Sequence, residues 1–140
     1  MAVIHGFNGD IRIKDTGGTF RNVSPDGAEI TVTTDMPVAD VTGFGSAAKS
    51  FVSGQYSWTV DLRGWFNSLA STGADTVLGP LSISTTASYA TVFPEGSASG
   101  NTMYHGSVYC IGYTRTANLG GGVAVTARFQ GSSVLTRASI

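Results

Sequence analysis

In the stretch YSWTVDLRGWF, residues 56–66, every second side chain is apolar. Tyr56, Trp58, Val60 and Leu62 fall on one side, and Ser57, Thr59, Asp61 and Arg63 on the other. A period of two belongs to a β-strand with one buried face, because successive side chains of a strand point to opposite sides of its sheet. The same period recurs along the chain. In GDIRIKD it sets Ile11 and Ile13 against Asp10, Arg12 and Lys14. In AEITVTTDM it sets Ile30 and Val32 against Glu29, Thr31 and Thr33. LSISTT and YATVF read as shorter strands, and TMYHGSVYCIGYT as a long one. GVAVTARFQ closes the set, with Val123, Val125, Ala127 and Phe129 opposite Ala124, Thr126, Arg128 and Gln130. The expectation is a mainly β chain of six to eight strands.

The polar faces pose a question, because they carry so little charge. Asp, Glu, Lys and Arg make up 12% of the 140 residues, with a formal net charge of −1, against about 25% charged in an ordinary soluble domain. With 41% hydrophobic residues the chain is suited to one compact domain spanning residues 1–140, not to disorder. Ser, Thr, Gly and Asn occupy the places where Lys and Glu would usually stand. A weakly charged, near-neutral surface tends to associate, and charged residues are depleted from the cores of protein interfaces. Composition therefore favours a chain that finishes its surface by assembling. The eight basic residues form no cluster, so any relation to DNA should be non-adhesive. A lone cysteine, Cys110, and a start without a basic-then-apolar leader predict folding in a bacterial cytoplasm without export. No apolar run is long enough for membrane insertion.

Between the strands, residues 15–29 read as a long loop separating two strands that would otherwise form a hairpin. It holds Gly17-Gly18 and then Pro25-Asp26-Gly27. Residues 94–101 and 118–122 read as turns. One short helix is expected over TGADTVLGPL, with Thr72 as its N-cap and Gly79-Pro80 as its stop.

The candidate chemistry is thin. VTGFGSAAKSF, residues 41–51, loosely fits both a dinucleotide fingerprint and a P-loop. Both motifs need a helix after the turn, and here a strand follows, so the segment reads as a glycine-rich turn. His5, His105 and Cys110 have no metal-site spacing. No G-x-S-x-G elbow exposes a nucleophile. The sequon at Asn22-Val23-Ser24 is idle without secretion, and Trp58 and Trp65 read as core or rim. No enzymatic activity, no cofactor and no metal are expected.

The order of features carries more than any motif. A "DVTGFGSAAKSFVSGQYSWTVDLRGWF" segment, residues 40–66, leads from a glycine-rich turn into an aromatic strand. A short helical stretch follows, and "GGGVAVTARFQGSSVLT", residues 120–136, ends the chain's strands. In these segments, and in their order along nearly the whole chain, the protein resembles the tail tube proteins of long-tailed bacteriophages. The resemblance implies a β-sandwich or small barrel of two packed antiparallel sheets, with one short flanking helix and a long loop between early strands. It implies a structural virion protein that forms hexameric rings, whose strands join into an inner barrel and which stack into a hollow tube. The partners it implies are other copies of the chain, a tape-measure protein, and tail terminator and distal tail proteins. DNA would pass through without sequence-specific binding. The location would be the virion tail, assembled in the host cytoplasm.

Two sets of residues follow from that reading. Phe20, Arg21, Asn22, Pro25 and Asp26, in the 15–29 connection, are expected to touch a neighbouring ring. Glu29, Thr31, Thr33 and Asp35 are expected to face the lumen, where a weakly acidic wall would let phosphates slide. A capsid decoration or head-stabilising protein, and a monomeric ligand-binding β-sandwich, stand as alternatives.

Overall fold

The computed structural model describes residues 9–45, 47–69, 73–96 and 98–140. Its elements are β1 (Asp10–Lys14), β2 (Phe20–Asn22), a 3-10 turn (Ser24–Asp26), β3 (Gly27–Asp35), β4 (Val38–Asp40), β5 (Phe51–Ser53), β6 (Ser57–Trp65), α1 (Ala74–Ser82), β7 (Ser88–Phe93), β8 (Thr102–Thr116), β9 (Ala124–Gly131) and β10 (Thr136–Ser139). The mainly β expectation holds. One antiparallel sheet runs in the order β2-β1-β7-β8-β9-β6-β3, with β10 on β8, and β4-β5 forms a small second sheet.

The long strand β8 lets one sheet make two layers. Residues Tyr104 and His105 are paired on both sides, by β7 and by β10. Further along, Val108 to Thr116 pair with β9, across a register shift between Cys110 and Gly112. Such a bulge bends and twists a strand. The first half of β8 thus belongs with β10, β7, β1 and β2, and the second half with β9, β6 and β3. The inward faces of both halves supply the core: Ile11, Ile13, Ala90, Val92 and Val108 from one, Trp58, Val60, Leu62, Ala127 and Phe129 from the other. Trp58 packs directly on bare backbone. Its ring lies against the backbone at Gly106 and Gly131, where a Cβ would come within 2.6 Å and 2.1 Å, and its Nε1–H donates to the Ser133 carbonyl at 2.7 Å.

The sheet rolls but does not close. β2 and β3 stand at its opposite ends, yet only the 3-10 turn separates them in sequence. That turn is tied down: Val23 is fully buried, and the Ser24 Oγ accepts from the Ile11 N–H at 2.9 Å. A groove of about 710 Å³ runs beside β3, with Ile30, Val32, Val92, Pro94, Tyr104 and Leu135 among its lining. The β1–β3 connection is long, as expected, but its ends do not converge on a hairpin. β1 pairs with β2 and β7, and β3 pairs with β6.

Two local expectations fail. LSISTT is no strand: Leu81 and Ser82 end α1, and regular structure resumes at Ser88. Nor do Gly79 and Pro80 stop the helix, which runs through both. Ala74, Val77, Leu78 and Leu81 recur at helical spacing, and all four are buried. Burying Leu81 draws the last turn past Pro80, whose missing N–H forfeits one helical bond. Thr72, the expected N-cap, lies outside the described residues. The helix is instead capped from afar, as the Asp26 Oδ2 accepts from the Ala74 N–H at 3.1 Å. Turns are present within 94–96, 98–101 and 118–122, with Gly96, Gly100 and Gly120 at positive φ.

Candidate functional site

The open face of the half-sheet β3-β6-β9-β8 answers the question of the uncharged polar faces. Register fixes its rows. Glu29 sits beside Arg63 and then Thr126, Thr31 beside Asp61 and then Arg128, and Thr33 beside Thr59 and then Gln130. Asp35 lies beside Ser57. The four residues expected to line a lumen, Glu29, Thr31, Thr33 and Asp35, are therefore on one exposed face of β3, while Ile30 and Val32 turn inward. The cations on this face are matched in place, Arg63 with Glu29 at 3.7 Å and Arg128 with Asp61 at 3.7 Å.

This half-sheet also has two unpaired edges. β3 ends the sheet, and among the described residues no strand covers its outer side. Among the described residues, β8 from Tyr109 to Thr116 pairs only with β9. Beside that stretch packs α1, where the half-buried Tyr113 hydroxyl donates to Asp75 Oδ1 at 2.8 Å. Burial first, and then that bond to Asp75, holds the phenol well above its ordinary range. Burial likewise pushes the Cys110 thiol up. Free sheet edges are templates for pairing with another chain.

The segment that sequence reasoning passed over is the arm between β3 and β6. Every described residue from 33 to 57 is exposed. Among the described residues β4 and β5 pair with each other alone, held at the root by the Gly54 N–H donating to the Pro37 carbonyl at 2.7 Å. The tip turn is stitched by Asp40, which accepts from the Thr42 N–H at 2.9 Å and from its hydroxyl at 2.6 Å. These bonds hold the Asp40 carboxyl below its usual range. Residues 41–45 and 47–50 carry no strand or helix, as the glycines imply, but Phe51 already opens β5, and the apolar content of the segment was the missed signal. Met36, Val38, Val41, Phe51 and Val52 are half exposed or more, and Phe44 at the tip is completely so, at 112%. No buried face exists within a two-stranded ribbon to account for them.

The 15–29 residues behave differently. They lie together along β2 and the 3-10 turn, but most are occupied within the chain. Phe20 stacks edge-on against Tyr89, with the Lys14 ammonium 5.2 Å from its ring centre. Arg21 is paired with Asp15 at 2.9 Å, which helps hold the Asp15 carboxyl below its usual range. Asn22 accepts from the Ser24 N–H, Pro25 opens the 3-10 turn, and Asp26 bonds both Asn67 and α1. His105 hydrogen-bonds Tyr89, and His5 lies outside the described residues. Among the described residues no three metal-ligating side chains gather, and no helix is long and apolar enough to cross a membrane.

No protein-family model and no curated protein sequence matches this chain. Solved structures do. A chain from the tail of an empty gene transfer agent particle, refined with C6 symmetry, is 14% identical and superposes with a TM-score of 0.80 over 98% of this chain and 100% of that one. A chain of the SPP1 tail tube is 7% identical, with a TM-score of 0.78 over 99% and 80%. A chain of the sheath–tube complex of an extracellular contractile injection system is 10% identical, with a TM-score of 0.66 over 99% and 93%. The fold is that of tail tube proteins.

Proposed function

We propose that the chain is the subunit of a tail tube: a structural, non-enzymatic protein whose hexameric rings stack into a hollow conduit for DNA. One observation carries this reading, the four-stranded half-sheet with a weakly charged open face and an unpaired edge on either side. The β3 edge of one copy and the β8 edge of the next are different surfaces, so their pairing is head-to-tail and can close a ring. Six copies of four strands, at about 4.8 Å per strand and about 40° of tilt, close a cylinder about 48 Å across at the backbone. That is wide enough for a duplex, and for a tape-measure protein before it. The C6 symmetry of the gene transfer agent tail, whose chain has this fold, supports the number six.

Glu29, Thr31, Thr33 and Asp35 would then face the channel, together with the paired arginines. A wall whose cations are already matched offers phosphates no fixed counterions to displace. The arm would leave the ring plane and join successive rings. A terminator and distal tail proteins would close the two ends of the tube in the virion, after assembly in the host cytoplasm.

The test is electron microscopy of the purified chain, raised stepwise in concentration. Rings about as wide as the cylinder above, and tubes with six-fold end views, are the expected result. A chain that stays monomeric throughout, or that binds only capsid shells, refutes the proposal.

A further inference from the structure

The other half-sheet, β2-β1-β7-β8 with β10, has an open face too. Ile11, Ile13, Ala90 and Val92 turn into the core, so Arg12, Lys14, Tyr89 and Thr91 turn outward. Register sets Phe20 beside Lys14. Lys14 and Tyr89 follow the Ile13–Ala90 pair, and Tyr89 lies beside Ser107. Four strands thus carry one row, Phe20, Lys14, Tyr89 and Ser107, about 14 Å long at about 4.8 Å per strand. In the next row Asn22, Arg12, Thr91, His105 and Thr136 stand side by side. The rings of these rows are joined. The Tyr89 hydroxyl and His105 Nδ1 share a hydrogen bond, and the two ring centres are 5.7 Å apart with their planes 32° apart. Rings bonded edge to edge at that tilt form a shallow shelf, not a stack. Phe20 stands edge-on to the same tyrosine, with ring centres 5.9 Å apart and planes at 89°, and walls the shelf at one end. Phe20 is 45% exposed, and Lys14, Tyr89 and His105 are half-buried.

We propose that this shelf binds an acidic polysaccharide, one sugar ring lying on Tyr89 and His105 against the Phe20 wall, with its carboxylate at the Lys14 ammonium. The inference goes beyond the conduit. It rests on the tube reading only for where the face points, which is away from the channel. The C–H face of a sugar ring carries a slight positive charge, which suits the negative face of an aromatic ring. Hydroxyls at the sugar's rim find Thr91 and Ser107 beside the shelf. The Tyr89–His105 pair also keeps one donor free, the phenol O–H or an imidazole N–H according to tautomer. Charge selects an acid. The one carboxylate of these rows' strands, Asp10, is 8% exposed and already engaged by Arg12 at 3.3 Å and by Ser24. Lys14 has no carboxylate partner among the described residues, and its ammonium lies 5.2 Å from the Phe20 ring centre. The channel side differs, since both of its arginines are matched. A protein partner suits the face less well. Its apolar surface is confined to a few ring faces, well short of the ~800 Å² that each partner gives a stable interface. One such site is weak, but six per ring repeated along a tube engage a repeating polymer by avidity.

The probes are oligomers of polygalacturonic acid, with dextran oligomers as the neutral control and oligothymidylate as a polyanion without sugar carboxylates. In NMR titrations of the unassembled chain, the acidic oligomer should shift the resonances of Lys14, Phe20, Tyr89 and His105, with a Kd of about 1 mM. Dextran and oligothymidylate should bind about tenfold more weakly or worse. Lys14→Gln and Tyr89→Ala should each weaken acid binding about tenfold. Tyr89→Phe, which keeps the ring, should weaken it about threefold or less, and Arg115→Gln, which removes an equal charge from the exposed part of β8, should leave it unchanged. Variants are compared where their thermal unfolding matches the wild type. If Tyr89→Ala does not match, Phe20→Leu, which removes the aromatic wall, takes its place. Assembled tubes should co-sediment with polygalacturonate at concentrations about a hundredfold lower than the single-site Kd. Binding that follows Lys14 but ignores the aromatic changes, equal binding of dextran or oligothymidylate, or no binding at about 10 mM oligomer overturns the shelf and leaves the tube reading intact. A chain that binds the acid on this shelf but never forms tubes supports the shelf and overturns the tube reading.

Discussion

Replacing Gly131 with alanine should damage this protein far more than its size suggests. The new Cβ would stand 2.1 Å from Trp58 Cε2 and 2.3 Å from its Nε1, whereas carbon atoms pack at about 3.5–4.0 Å. The indole must therefore retreat by roughly 1.5 Å. It cannot do so freely, because Trp58 is 2% exposed and its far edge already meets the backbone at Gly106. Overpacking of this kind costs about 1–3 kcal/mol. Displacing Nε1 from the Ser133 carbonyl adds about 1 kcal/mol for a bond lost in a buried setting. The total is about 2–4 kcal/mol, or roughly a 10 °C fall in Tm for a chain of this length. Calorimetry on the unassembled chain, at concentrations where Tm does not vary, reads this directly. Gly112→Ala, whose Cβ meets nothing within 4 Å, is the control and should stay within about 0.5 kcal/mol. Adding Trp58→Leu to Gly131→Ala should cost less than the two changes summed. Equal effects at Gly131 and Gly112, or strict additivity with Trp58→Leu, would refute the idea that the indole holds the two half-sheets together.

Four further outcomes are expected. Asp26→Ala removes the acceptor for the Ala74 N–H and for Asn67, and should lower stability by about 1–2 kcal/mol in denaturant titrations, with helix signal lost first. Tyr113→Phe should cost about 1–2 kcal/mol at neutral pH. Because the folded phenol titrates above its unfolded value, that contribution is complete below the ordinary phenol range and fades as pH rises above it, so wild type and variant should converge in alkali. Deleting residues 17–26 removes β2, the buried Val23 and Asp26, and should abolish cooperative unfolding in a melt, not merely assembly. Glu29→Lys should leave tubes intact by microscopy yet slow DNA passage in assembled particles, with recovery of about tenfold between 50 and 200 mM salt if two phosphates are held at a time. Salt-independent delivery at the wild-type rate would count against a luminal Glu29.

The alternating strands were legible because each has one face in the core. Trp58, Val60 and Leu62 read inward from their spacing alone, and so did Ile30 and Val32. The open face was legible for the same reason, since Glu29, Thr31, Thr33 and Asp35 are what alternation leaves outside. Short strands were not. β2, β4, β5 and β10 have three or four residues each, too few for a period to declare itself. LSISTT carried strand-like residues, but tertiary burial of Leu81 enlisted its start into α1. The partner of β1 was invisible because β7 lies more than seventy residues away in sequence, and nothing local encodes which edge a strand will meet. The arm was hidden by its glycines, which invited a turn reading and drew the eye from Phe44, Phe51 and Val52.

The distribution of apolar and charged groups argues that the chain treats its surfaces differently according to what must stick. Its two ends carry uncovered aromatic and aliphatic side chains, Phe44 at one and Trp65 and Leu119 at the other, where adhesion is non-directional and strong per area. The open sheet face carries none of comparable exposure on β3, whose outward positions are Glu29, Thr31, Thr33 and Asp35. Its charges number three acids, Glu29, Asp35 and Asp61, against two arginines, Arg63 and Arg128, for a net of −1. Ion pairs as exposed as Arg63–Glu29 contribute little to stability, so folding gives no strong reason to keep them. Their effect lies outward. Each arginine beside an acid on the next strand presents a dipole that fades over a few ångströms instead of a cation that would gather counterions. Neutralising cations in place permits arginine's long side chain to cover the sheet without making the wall adhesive to phosphate. The proposed tube asks for sticky ends and an indifferent wall at once, and the open face meets the second demand by pairing both of its arginines.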